Sequence, residues 1–226
     1  MIRHALCILS VLSATSAKAQ ADCNDDAMLV FDASGSMAAM GYNGLDLPRI
    51  VEARAALKQV LPDVTPYRRM GLVVYGPGPK DACSNIALHF GPQPDAGPAI
   101  VGVIEQVNPD GDTPLTEAVR KAAEVIGNGE RSGDIVLVTD GRETCNGAPC
   151  QLAAELSGSE LKVHVIGFRV RGASFEWQSS ANFDVRNHQT VARCLADRTG
   201  GEYVAAESTD DLVDALREIL SCPVIG

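Results

Sequence analysis

The chain has 226 residues, with 29 acidic against 19 basic side chains and a formal net charge of −10. That balance argues against binding nucleic acid or an anionic membrane through bulk electrostatics. No segment is apolar for long enough to predict a membrane span.

Residues 1–19 read as an export signal. Arg3 supplies the positive start, Ala5 to Val11 the apolar stretch, and Ala17-Lys18-Ala19 a small-x-small cleavage pattern. Cleavage there leaves residues 20–226, the size of one domain. Arg3 and Lys18 leave with the signal and no acid does, which takes the net charge to −12. Neither Cys7 nor Cys23 follows a lipoprotein signal, and the chain has no Asn-x-Ser/Thr sequon. A soluble protein exported by a bacterium, periplasmic or secreted, is expected.

Past the signal, short apolar runs alternate with amphipathic segments. In chain order the pattern predicts a strand at 27–31, a helix at 49–61, strands at 71–75 and 86–90, and helices at 97–107 and 114–126. A strand at 134–139, a helix at 149–156, a strand at 161–168, a helix at 189–199, a strand at 202–205 and a helix at 209–220 follow. In the first helix Ile50, Ala53, Leu57 and Val60 share one face, and Glu52, Arg54 and Lys58 the other. The runs at Leu29, Leu72 and Ile135 are almost wholly apolar, as in strands covered on both faces. This rhythm predicts an α/β fold: a doubly wound, mostly parallel six-stranded sheet with helices on both faces. No helix fits between 71–75 and 86–90, so one of these is expected to be an antiparallel edge strand.

The residues that carry chemistry sit at strand ends. Phe31-Asp32-Ala33-Ser34-Gly35-Ser36-Met37 follows the first apolar run and places one carboxylate and two hydroxyls on a tight turn. Three hard oxygen donors within five residues suit a small divalent cation. Ile135-Val136-Leu137-Val138-Thr139-Asp140-Gly141 brings a second acid to the carboxyl end of a buried strand, where open α/β sheets bind ligands. Gly111-Asp112-Thr113-Pro114-Leu115 adds a hydroxyl before a helix whose start Pro114 marks, although capping alone would also explain Thr113. Two carboxylates and three hydroxyls leave a divalent ion near formal neutrality. Neutral hydroxyls donate little electron density, so the ion remains an acceptor for one more oxygen. The Asp-x-Asp-x-Asp-Gly loop of a calcium buffer is absent.

The pattern Asp-x-Ser-x-Ser, with Thr113 and Asp140 following in order, resembles the metal-ion-dependent adhesion site of von Willebrand factor A (VWA) domains. Val73-Val74-Tyr75-Gly76, Asp140-Gly141-Arg142-Glu143-Thr144-Cys145 and Thr199-Gly200-Gly201-Glu202-Tyr203 are similar to stretches of the bacterial exported members. The resemblance implies a single domain over 20–226. It also implies a divalent cation, Mg²⁺ first with Mn²⁺ or Ca²⁺ as alternatives, held by Asp32, Ser34, Ser36, Thr113 and Asp140. An Asp or Glu of a partner protein would complete the coordination, without catalysis.

An enzyme and a structural module with a non-functional metal site are the competing classes. Asp32-Ala33-Ser34 resembles the strand-end aspartate of aspartyl-phosphate phosphatases, but Ser34 stands where their second acid would be. Neither a Gly-x-Ser-x-Gly elbow nor a phosphate-binding glycine loop occurs, which leaves a metal-dependent hydrolase with little support. The connection 169–188 is far longer than the usual strand-to-helix loop. It leaves a strand's carboxyl end and carries Arg171 and Trp177, candidate partner-binding residues of hot-spot type. Six cysteines remain after the signal is removed, and an even number in an exported chain predicts disulfides. Cys23 with Cys222 as a terminal clasp, and Cys145 with Cys150 across a turn-rich loop, are the expected pairs. His164 is expected to be a core histidine, and Met37 and Met40 packing residues.

Overall fold

Strand β1 (Asp26–Asp32) is buried along almost its whole length because alternate side chains enter two different cores. Ala27, Leu29 and Phe31 pack with helices α1 (Arg49–Val64), α2 (Gly97–Gln106) and α6 (Thr209–Leu220). Met28 and Val30 face α3 (Leu115–Ile126), α4 (Pro149–Leu156) and α5 (Arg186–Thr199) on the other side. β4 (Gly133–Thr139) repeats the alternation, with Val136 and Val138 toward the first core and Ile135 and Leu137 toward the second. Covering both faces is what the apolar runs require. The computed structural model describes residues 25–40, 47–78, 83–127, 132–141, 143–170 and 186–221.

The sheet has six strands in the order β3-β2-β1-β4-β5-β6, with β2 (Met70–Tyr75), β3 (Ile86–Gln93), β5 (Leu161–Phe168) and β6 (Tyr203–Ala206) completing it. Every pairing is parallel except β2 with β3 at the edge, the arrangement expected from the sequence. All five parallel strands therefore end on one side of the sheet.

Three differences from the expected elements have local causes. α1 continues through Pro62 to Val64. The bond Pro62 cannot make would go to the carbonyl of the exposed Lys58, and Thr65 closes the end by donating its N–H and hydroxyl to Leu61 O. α5 begins at Arg186, inside the stretch expected to be a connection. Glu52, assigned to the outer face of α1, is buried because its Oε1 accepts from Arg169 Nη2 at 2.8 Å and Thr209 Oγ1 at 3.3 Å. Its neighbour Arg54 is half-buried, binding the carbonyls of Ile104 and Val107 at the end of α2. At the opposite end of the sheet from the site, Arg68 pairs with Asp134 and reaches the carbonyls of Ile219 and Leu220. The buried His164 accepts the Glu202 N–H at Nδ1, a framework role.

The disulfides correct the sequence expectation. Cys145 bonds Cys83, and Cys150 bonds Cys194. The first pair ties the loop between β2 and β3 to the loop after β4; the second ties α4 to α5. Pro149 and Cys150 open α4, which carries Cys150 onto the helix and away from Cys145. Cys23 and Cys222 lie outside the described residues. Non-reducing peptide mapping is expected to recover the Cys83–Cys145 and Cys150–Cys194 links. Replacing Cys150 and Cys194 by Ala should cost about 2–4 kcal/mol in denaturant unfolding; recovery of a Cys145–Cys150 loop would contradict the arrangement.

Candidate metal centre

β1 and β4 are parallel neighbours with Phe31 beside Val138, so Asp32 and Asp140 emerge together at the carboxyl edge. Asp32 is fully buried and held twice. Its Oδ2 accepts from Thr139 Oγ1 at 2.6 Å, and its Oδ1 accepts the Ser34 N–H at 2.8 Å. The second bond is an aspartate turn, in which the side chain bonds the backbone two residues on. It bends the chain into a single 3₁₀ turn, Gly35–Ala38, that seats Met37 in the core and leaves Ser36 exposed. Met40, expected to pack, is 53% exposed.

The hydroxyls and the second acid then meet. Ser34 Oγ lies 3.1 Å from Ser36 Oγ, and Ser36 Oγ donates to Asp140 Oδ1 at 2.6 Å. Asp140 Oδ2 accepts from Arg49 Nη1 at 2.5 Å, and the same nitrogen lies 3.2 Å from Ser36 O. Arg49 and Asp140 are both buried. Thr113 stands on the adjoining loop between α2 and α3. Its N–H donates to Thr144 Oγ1 at 2.8 Å and its carbonyl accepts the Thr144 N–H at 3.2 Å. Glu143 fixes the start of α3 by accepting the Thr116 N–H and hydroxyl, both at 2.7 Å. Four of the five expected residues are thus joined by contacts of their side chains; Thr113 bonds Thr144 instead, and its loop meets the serine turn at Asp110 and Gly111.

Two glycines allow the three loops to meet. Gly76 (φ +109°) lies against Ser34 so closely that a Cβ would overlap the Ser34 backbone. Gly111 (φ +76°) has the same relation to the Gly76 carbonyl, while its own carbonyl accepts the Gly35 N–H at 3.1 Å. Both positions need a left-handed backbone and no side chain.

The donor set fits a hard divalent cation. It supplies two carboxylates and nearby hydroxyls, and both hydrogen-bond partners of Asp32 are uncharged. Burial, followed by the neighbouring Asp140 charge, pushes the Asp32 carboxyl from 3.8 up to about 6. A cation at the site would relieve both causes. Tyr75, fully buried, has its hydroxyl near Asp32 and Thr139 without an aligned hydrogen bond, and burial raises its pKa further above the usual range.

Arg49 and the buried Glu52–Arg169 pair were not found from the sequence. Arg49 opens α1, where the helix dipole disfavours a cation, but nothing in the sequence names Asp140 as its partner. Arg171 and Trp177 lie outside the described residues; the connection that carries them leaves the carboxyl end of β5 through Arg169.

A parallel-type α/β sheet with two acids and a serine turn at its carboxyl edge is the architecture of the VWA class. The von Willebrand factor type A domain family matches residues 27–143, just over half of the chain and the stretch that holds all five site residues. The chain belongs to that family. It is 28% identical over 214 residues to the uncharacterized protein YwmD of Bacillus subtilis (strain 168), covering 88% of this chain and 86% of that one. The fold is shared with the pilus adhesin SpaC of Lactobacillus rhamnosus GG in its open conformation, with a TM-score of 0.63 at 17% identity. That match covers 86% of this chain and 29% of SpaC. It is also shared with proximal thread matrix protein 1 of the mussel byssus, whose metal-ion-dependent adhesion site is occupied by zinc. There the TM-score is 0.59 at 18% identity, covering 88% of this chain and 46% of the other.

The raised pKa of Asp32 fixes the sign of a pH effect. The unfolded chain ionises Asp32 near its ordinary 3.8 and the folded chain near 6, so the folded state binds the extra proton between them. Stability from this group is full below pH 4 and is lost as pH rises through 6, amounting to about 3 kcal/mol. With chelator present, wild-type protein should gain melting temperature relative to Asp32→Asn on going from pH 7 to pH 5. An unchanged difference between the two proteins over that range would refute the assignment.

Proposed function

We propose that this protein is an exported, non-enzymatic binding module that captures a partner protein through a divalent cation. One observation carries the reading: the exposed Ser36 hydroxyl bonds Asp140, and its turn is set by Asp32. A serine turn and two buried strand-end acids are thereby focused on a single point, with the exposed Ser36 at its rim. Asp32, Ser34, Ser36 and Asp140 would hold the ion, with Thr113 as the remaining hydroxyl. Mg²⁺ is the first candidate and Mn²⁺, Ca²⁺ or Zn²⁺ are alternatives; the zinc-occupied site of the byssus protein supports a divalent ion in this fold.

When bound, the ion supplies an electrophilic anchor for an acidic side chain of the partner. The chain's own residues orient it: Thr139 and the Ser34 N–H fix Asp32, and Ser36 fixes Asp140. The hydroxyl–carboxylate pairs of the described site, Ser36 with Asp140 and Thr139 with Asp32, serve in this reading to orient the ligands of the ion rather than to activate a nucleophile. The export signal at 1–19 and the two disulfides support action outside the cytoplasm. The connection that includes Arg171 and Trp177 starts from this edge and would add specificity.

Asp140→Asn keeps the size of the side chain and removes one of two carboxylate charges. It should lower Mg²⁺ and Mn²⁺ affinity in calorimetric titration by at least about a hundredfold, the loss of one strong charge interaction. Partner capture from a periplasmic extract should fail in EDTA and return with Mg²⁺. Unchanged metal affinity in Asp140→Asn, or capture unaffected by EDTA, would overturn the reading.

A further inference from the structure

The site contains a cation of its own. Arg49 is 3% exposed, and its Nη1 binds the same carboxylate that Ser36 binds from the other oxygen. We propose that Arg49 is a resident counter-cation that holds Asp140 while no ion is bound, limits affinity for the ion, and makes the loaded site require an anionic ligand. The proposal rests on the metal-binding reading above.

The charges nearest the site give the argument. Asp32 and Asp140 contribute two negative charges and Arg49 one positive. Glu52, one turn further along α1, is taken by Arg169 at 2.8 Å and by Thr209, so that pair cancels separately. Among the described residues these three charges sum to −1 and a divalent ion brings the sum to +1, where the same set without Arg49 would reach neutrality. A partner carboxylate brings the loaded site to zero. A neutral oxygen ligand leaves it positively charged and buried, which is costly. Discrimination for an acidic side chain over a neutral one is thereby built into the protein rather than left to the partner.

The same residue opposes loading. Without Arg49 two carboxylates share one buried site with no cation between them, and the folded metal-free state loses stability. A bound ion restores the balance, so linkage makes the variant bind metal more tightly than the wild type does. Orientation of Asp140 by Arg49 acts in the opposite direction, but Ser36 already holds the other oxygen at 2.6 Å.

The test uses the full mature chain and Mn²⁺ alone. Arg49→Met, which keeps an apolar stem and removes the charge, should bind Mn²⁺ at least about tenfold more tightly in calorimetric titration. It should melt below the wild type in EDTA, and saturating Mn²⁺ should narrow that gap. Arg49→Lys retains the charge and should stay near the wild-type affinity. A second measurement needs no variant: in wild-type protein, sodium acetate should tighten Mn²⁺ binding relative to sodium chloride at equal ionic strength. If the wild type takes up no Mn²⁺, the metal reading itself falls. If it binds Mn²⁺ but Arg49→Met binds no more tightly, or acetate has no effect, the metal reading stands and the role of Arg49 is overturned.

Discussion

Two carboxylates at the ends of neighbouring parallel strands, both withdrawn from water, are the constraint around which this end of the molecule is arranged. Parallel pairing of β1 with β4 brings Asp32 and Asp140 to the same edge, and their mutual repulsion adds to the cost of burying them. Each nearby polar group lowers that cost: Thr139 and the Ser34 amide for Asp32, Ser36 and Arg49 for Asp140. A core built for stability alone would place apolar side chains at these strand ends. Retaining paired acids where they are expensive is the physical ground for proposing a binding site at this edge.

The backbone around the acids is drawn in by equally specific means. Loops from β1, from β2 and from the α2–α3 connection come into contact only because Gly76 and Gly111 have no side chains and adopt positive φ. The Ala33 carbonyl accepts the Asp110 N–H at 3.0 Å, and the Gly35 N–H goes to Gly111. The Cys83–Cys145 disulfide joins two of the loops that border the site, with a carboxylate oxygen of Asp112 within 4.8 Å of both sulfurs. Loops usually carry function at the expense of order. Here glycine contacts, amide bonds and a covalent link hold them to the rigid sheet.

How much of this could be read from the sequence follows from which interactions are local. The strands and helices were legible because burial on both sheet faces imposes continuous apolar runs and the helices are amphipathic. Asp32, Ser34 and Ser36 were legible because one turn contains them, and Asp140 because it ends an apolar run before glycine. Buried ion pairs were not, since Arg49 with Asp140 and Glu52 with Arg169 join residues 91 and 117 positions apart. Periodicity placed Glu52 on the outer face of α1 by its charge; a partner from β5's end reversed that placement. The expected partner of Cys145 was wrong for a similar reason. Closeness in sequence favoured Cys145 with Cys150, while the start of α4 turns Cys150 toward α5.

Helix α1 connects these features. Its first turn presents Arg49 to the acid at the end of β4 and Glu52 to Arg169 at the end of β5, and both pairs are buried. Glu52 also accepts from Thr209 in the first turn of α6, which fixes α1 against its neighbour. Arg169 adopts a positive φ of +48° at the root of the connection that carries Arg171 and Trp177. Side chains from one helical turn thus hold both the carboxylate of the candidate metal centre and the base of the longest connection on that edge. A ligand that changed the demand on Asp140 would act on Arg49 directly. Its effect on Arg169 would pass through Glu52, three residues further along the same buried helical turn.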